Sequence, residues 1–305
     1  MLIVVDWATL ALLGAAAIGV VNILDSHLIS RRMPSFRAFL LLVGAVMLVY
    51  GLVIFYLFPL PEDVGTWPMV VAVTSAVFRI ASVTIMLYTL RTEEVSRVIP
   101  VFHIYPVFVA IIAVPLLGEV LGYLQWLAIV IVVAGAVMVS AKRKPSGTTT
   151  WLGKSFLLLF GAGLLMAIAD VASKYALDYI SFWNMYWISA FVLGGVFLLI
   201  SLRPRVLREL VNMRRRGSSM GLLALNETLA VTGIILIFWA MANGPVSLVS
   251  TITGSRPIFV LVFALILGRF RSGFLLEGQS GKGTLLLRPI ATAMIVGGIA
   301  IIYLA

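Results

Sequence analysis

Four ionisable residues stand inside long apolar runs. They are Arg79 in VAVTSAVFRIASVTIMLYTL (71–90), Asp170 in LLMAIADVASKYAL, Glu227 in LLALNETLAVTG and Arg256 in VSLVSTITGSRP. A guanidinium cannot shed its charge, so Arg79 and Arg256 carry a full positive charge where charge is most costly. Such a residue is tolerated when it faces an acid or a water-filled cavity. Fixed cations suit a carboxylate or phosphate group. Buried carboxylates suit an amine or a proton. Arg79 falls about twelve residues into its run, which at a rise of ~1.5 Å per residue puts it near the middle of a bilayer, and Glu227 is similarly deep. The expectation is that Arg79 and Glu227 meet, or grip between them a substrate bearing both charges. A buried ion pair that only fixes helix register is the structural alternative.

Further polar residues accompany these four. Arg256 precedes Pro257 and follows Gly254-Ser255, so the backbone there can open and free carbonyls. Substrate contact is one reading of Arg256, and pairing with Glu227 or Asp170 is the other. His103 lies between Pro100 and Pro106, and its imidazole titrates near neutrality, making it a candidate proton carrier or a packing residue. Tyr105 is a candidate lining residue. Asp25 and Asp170 sit nearer the ends of their runs, as gates, proton sites or partners of Arg31 and Lys174. Asn22 and Asn226 are amides able to hydrogen-bond a substrate or these acids.

The elements that position these residues follow from hydropathy. The 305 residues are 62% hydrophobic and 11% charged, far more apolar than a soluble domain needs. Spans of about 20 apolar residues run over 7–27, 36–57, 67–89, 95–117, 122–140, 153–177, 182–202, 218–241, 246–267 and 285–304. The runs are continuously apolar and do not alternate with period two, so they are helices and not barrel strands. The sequence therefore predicts an all-α polytopic membrane protein with ten transmembrane helices. The first apolar run lacks a basic segment before it and reads as a retained helix. Tryptophans near the run ends (Trp7, Trp67, Trp126, Trp151, Trp183 and Trp187) read as an interfacial belt.

The net charge of +10 does not mark nucleic-acid binding, because the basic residues lie in loops between spans. They fall in alternate loops: Arg31, Arg32 and Arg37; then Arg91 and Arg97; Lys142 to Lys144; Arg203 to Arg216; and Arg269 to Arg288. The positive-inside rule puts those loops in the cytoplasm and both termini outside, in a plasma-membrane protein. The absence of cysteine excludes disulfides and thiolate sites, and two separated histidines make no metal constellation. No catalytic grouping or cofactor motif is present, so no enzyme is expected. GQSGKGT (278–284) lacks the Gly-Lys-Ser/Thr ending of a phosphate loop, and Asn226-Glu227-Thr228 is a sequon inside a span.

The chain divides at the basic linker AKRKPSGTTT (141–150) into a first repeat, 1–140, a linker, 141–152, and a second repeat, 153–305. VSRVIPVFHIYP (95–106) matches VSLVSTITGSRP (246–257): Val-Ser opens both, and Pro106 and Pro257 fall at one offset, as helix-break positions. Tyr105 then aligns with Arg256. Asn22-x-x-Asp25 aligns with Asp170-x-x-Ser173, and Arg79 with Glu227. Five helices per half makes the repeats inverted, the design of secondary transporters that work by alternating access.

Leu117-Gly118-Glu119 after the proline-containing fourth segment, then Leu124-Gln125-Trp126 and Gly135-Ala136 in the fifth, resemble the EamA-type pattern of the drug/metabolite transporter superfamily. A second Leu-Gly turn follows the ninth segment, continuing with Arg269 in place of Glu. The resemblance implies a central cavity lined by the first, third, fourth, sixth, eighth and ninth segments. It also implies export or exchange of a small metabolite, whereas the charge bias puts the termini on the side opposite to that usual in the family. The expected cargo is a small polar metabolite, anionic or zwitterionic. Protons or a counter-substrate drive its transport through a monomer or homodimer. A lipid-linked substrate flippase or its accessory subunit is the alternative, ahead of a membrane-embedded enzyme.

Overall fold

The computed structural model describes residues 6–89, 101–140, 154–213, 216–270 and 282–304. The linker 141–152, residues 95–100 of the fourth segment and Trp151 lie outside the described residues. Among the described residues there are helices and no strands. The helices are α1 (Trp7–His27), which runs on through a π-helical turn (Leu28–Arg32), α2 (Phe36–Leu57), α3 (Thr66–Thr89), α4 (Tyr105–Leu117), α5 (Tyr123–Ser140) and α6 (Lys154–Leu177). They continue with α7 (Phe182–Ser201), the short α8 (Pro204–Val211), α9 (Arg216–Asn243), α10 (Val246–Gly254), α11 (Arg256–Phe270) and α12 (Lys282–Leu304). Among the described residues, seven helical stretches are long and apolar enough to cross a membrane, and 105–117, 123–138 and 289–304 are shorter apolar helices.

Local chemistry sets the helix ends. Ser35 caps α2 by accepting from the Ala38 amide at 3.2 Å. Ser181 and Asn184 form a reciprocal capping box at α7, and the Asn184 amide also donates to the Phe58 carbonyl at 2.9 Å. Gly118 ends α4 with φ +67°, a left-handed conformation that suits glycine. The fourth and ninth apolar segments are not continuous helices. Residues 103–104 form a turn before α4, and the helix stops at Gly254 and restarts at Arg256. Both interruptions fall beside the matched prolines Pro106 and Pro257, which supply no amide to the helical ladder.

The halves interlock pairwise. The most extensive contacts join α1 to α9, α3 to α6, α2 to α7 and α5 to α12, each pair taking one helix from each half. Exchanging the halves turns the α1–α9 pair into the α6–α3 pair, as a two-repeat architecture requires. Several crossings depend on missing side chains. A Cβ on Gly44 would lie 3.1 Å from the Gly194 carbonyl oxygen, and one on Gly194 2.9 Å from that of Gly44, so α2 and α7 touch backbone to backbone. Gly298 does the same for α12 against α5, where a Cβ would meet Val132 at 2.5 Å, while its neighbour Gly297 faces open space. The broken segments meet at the centre, with Pro106 lying against Gly254. Trp187 departs from the interfacial belt: it is buried and packs edge-on against Phe55 at 5.0 Å.

Candidate functional site

A polar network runs through the apolar interior where α3, α6 and α10 converge. Arg79 Nη2 lies 3.0 Å from Asp170 Oδ1 and donates to Ser173 Oγ at 3.2 Å. Its Nη1 reaches the Met166 sulfur at 3.7 Å, and the guanidinium carbon lies 5.8 Å from the centre of the Phe238 ring. The Arg79 side chain keeps 23% of its exposure, whereas that of Asp170 keeps 3%. The other oxygen of Asp170 accepts from Ser250 Oγ at 2.8 Å. Tyr105 Oη lies 3.4 Å from Thr253 Oγ1 and 3.5 Å from the Ser250 carbonyl.

The ion pair expected between Arg79 and Glu227 is not formed. Arg79 sits over Phe238, eleven residues beyond Glu227 on α9, a separation of about three turns or ~16 Å. The physical reason is the choice of neighbour: α3 packs on α6, and so Arg79 meets the acid of α6. Nor does Asp170 pair with Lys174, which donates to the Ala242 carbonyl at 3.3 Å and lies 3.7 Å from Asp178.

Glu227 belongs to a second cluster. The Asn226 amide nitrogen donates to Asp25 Oδ1 at 2.7 Å and to Glu227 Oε1 at 3.1 Å, bridging the two acids between α1 and α9. Asn226 and Glu227 are buried. Asp25 does not pair with Arg31, and neither acid has an ion-pair partner among the described residues. Asn22, one turn earlier on α1, is exposed and makes no hydrogen bond among the described residues.

Arg256 pairs with neither Glu227 nor Asp170. It opens α11 directly after the break, and its Nε is buried without a hydrogen-bond partner. His103, in the matching turn before α4, has a buried Nδ1 equally without partner. Arg256 lies within electrostatic reach of both His103 and Tyr105, and Tyr105 also senses Arg79 and Asp170. The two breaks thus bring together Arg256, His103 and Tyr105 beside the Arg79–Asp170 pair.

Two polar features escaped sequence reasoning. Glu119 accepts from the Val246 and Ser247 amides and from the Ser247 hydroxyl, capping α10 from across the repeat boundary. The hydroxyls Ser247, Ser250, Thr251 and Thr253 are all buried on α10, and their density within an apolar run was the available signal.

Comparison with known proteins gives this architecture a family. The EamA-like transporter family model matches residues 6–141 and again 153–275, one match per half. The chain belongs to the EamA-like transporter family. It is therefore a multi-pass integral membrane protein of a family that transports small molecules, within the drug/metabolite transporter superfamily. A solved structure described only as a crystal structure of a protein superposes on 98% of this chain and 95% of its own, with a TM-score of 0.68 at 18% identity, which shows a shared fold. Among curated proteins none matches the chain. The second family match ends within 271–281, so it covers the second half through α11 and leaves α12 beyond it.

Proposed function

We propose that this EamA-like transporter is a secondary transporter of a small polar metabolite with an anionic group, anionic or zwitterionic overall. Arg256, His103 and Tyr105 hold that group, with Arg79 alongside. The supporting observation is Arg256: a permanently charged side chain whose buried Nε lacks an acceptor. Leaving a buried guanidinium donor unsatisfied is costly, and a carboxylate or phosphate oxygen would supply the missing acceptor. Arg79 differs, because Asp170 already neutralises it. A zwitterion could place its anionic group on Arg256 and its amine nearer Asp170.

The chain has no nucleotide-binding motif, so a proton or ion gradient or exchange against a counter-substrate drives the movement. The interlocked halves rock about the paired breaks and expose the site alternately to each side. Loop charge favours both termini outside.

The test is a thermal-shift series on purified protein with panels of carboxylates, phosphates, zwitterions and organic cations, repeated on Arg256→Gln. A ligand at 100 times its Kd stabilises the folded state by about 2.7 kcal/mol. Anionic or zwitterionic ligands are expected to raise the wild-type melting temperature and to lose most of that effect in Arg256→Gln. Stabilisation by organic cations alone, or an equal response of both proteins, overturns the reading. A response confined to lipid-linked anions points to the flippase alternative.

A further inference from the structure

We propose that Asp25 and Glu227, bridged by Asn226, form a proton-binding site that shares one proton between two carboxylates and is separate from the arginine site. The argument begins from symmetry. Arg79 and Glu227 occupy matched places in the two repeats, and so do the α3–α6 and α9–α1 contacts on which they sit. On one side the charge is answered: Arg79 meets Asp170. On the other two acids share one amide donor, Asn226. Glu227 is buried and Asp25 half-buried, so two ionised carboxylates here repel each other and give up hydration. Holding one proton reduces the charge of the pair from −2 to −1.

Two further observations point to an occupant. The Asn226 side-chain oxygen, in a residue with no exposure, has no hydrogen-bond partner, and it stands ready to accept from a protonated carboxyl. Tyr186 is 1% exposed, its hydroxyl is likewise without partner, and it lies within electrostatic reach of Glu227.

Among the described residues no cation is paired with either acid. Of the elements packed against α1 and α9, α2 contributes Tyr50, which hydrogen-bonds Thr228 at 2.8 Å, and α7 contributes Tyr186. The π-helical turn carries Arg31 and Arg32, and Arg32 lies on His27 and Ser218. In α6, Asp170 is held by Arg79 and Lys174 lies beside Asp178. No residue of α10 titrates, and Arg256 of α11 lies within electrostatic reach of His103 and Tyr105. A cleft of about 650 Å³ opens on the basic end and is lined by His27, Arg32 and Ser219. Asn226 lies two turns beyond Ser219 on the same face of α9. The cleft is thus the opening on the Asp25 end of α1, and the pair lies deeper than its lining residues.

The test is infrared spectroscopy of the full chain in nanodiscs, titrated with pH in potassium and in sodium buffers. The expected result is a carboxylic C=O band of a buried acid, present at neutral pH in the wild type and lost on alkalinisation. The wild-type titration needs no variant. Asp25→Asn and Glu227→Gln should each move that band to lower pH, because the remaining acid no longer faces a like charge, and the double variant should abolish it. Absence of the band in wild type at neutral pH overturns the proposal, as does a band that survives the double variant. Sodium-specific thermal stabilisation without a protonated band also overturns it, assigning the pair to a monovalent cation instead.

Discussion

Asp170 is the acid that makes Arg79 tolerable, so removing it should be more harmful than removing both. Breaking a buried pair from one side costs about 3–5 kcal/mol, because the remaining charge is left without an answer. Arg79 keeps 23% of its side-chain exposure, which places Asp170→Ala toward the lower end of that range. Arg79→Met combined with Asp170→Ala should recover most of the loss, and a double-mutant cycle on thermal unfolding in detergent measures the coupling. Additive losses would show that the two residues do not support each other. The identities of the important residues were readable from the sequence, since a charge inside an apolar run is rare and costly. Their partners were not. Arg79 and Glu227 share a depth and a repeat position, yet depth says nothing about which helix lies opposite.

At the scale of the element, the Leu117-Gly118-Glu119 turn combines two devices. Gly118 adopts a φ of +67° with open space where a Cβ would stand. Gly118→Ala should therefore cost about 1–2 kcal/mol from backbone conformation alone, with no steric contribution. Glu119 fastens the first amides of α10. Glu119→Ala should cost about 0.5–2 kcal/mol, as for other lost helix caps, and Glu119→Gln should restore part of it. Hydrogen exchange at the Val246 and Ser247 amides provides a local check: faster exchange there in Glu119→Ala, with α2 unchanged, is the expected pattern. The second Leu-Gly turn has Arg269 at the matching place, so the repeats differ where one half caps the other. The turn itself was legible as a motif. That its carboxylate reaches across to the other repeat was not, because a cap needs a helix end brought near in space.

Across the whole molecule, Glu119 and Ser247 join the halves just beyond the C-terminal end of α9. The chain contains no cysteine, so a thiol pair can be added to a clean background. Replacing Glu119 and Ser247 with cysteine and joining them with a short bifunctional reagent should stop substrate-driven exchange, and a cleavable reagent should let it resume. Unchanged exchange after complete cross-linking would remove rocking of the halves at this end from the mechanism. Reporter fusions at the C-terminus test the charge-based orientation, for which an external reporter is expected.

The sequence by itself determined the helical membrane class, the two-repeat pattern and the residue types held inside. Each of these follows from local physics: hydropathy over a segment, proline and glycine chemistry, and the cost of charge in lipid. The tertiary structure alone decided how those residues combine. It set Arg79 on Asp170 instead of Glu227, joined Asp25 to Glu227 through Asn226, left Arg256 without an acid, and seated Pro106 against Gly254. These outcomes depend on which helices lie side by side. Helix neighbours are chosen by close backbone approach at residues such as Gly44 and Gly194, summed over whole interfaces, and no single segment carries that choice.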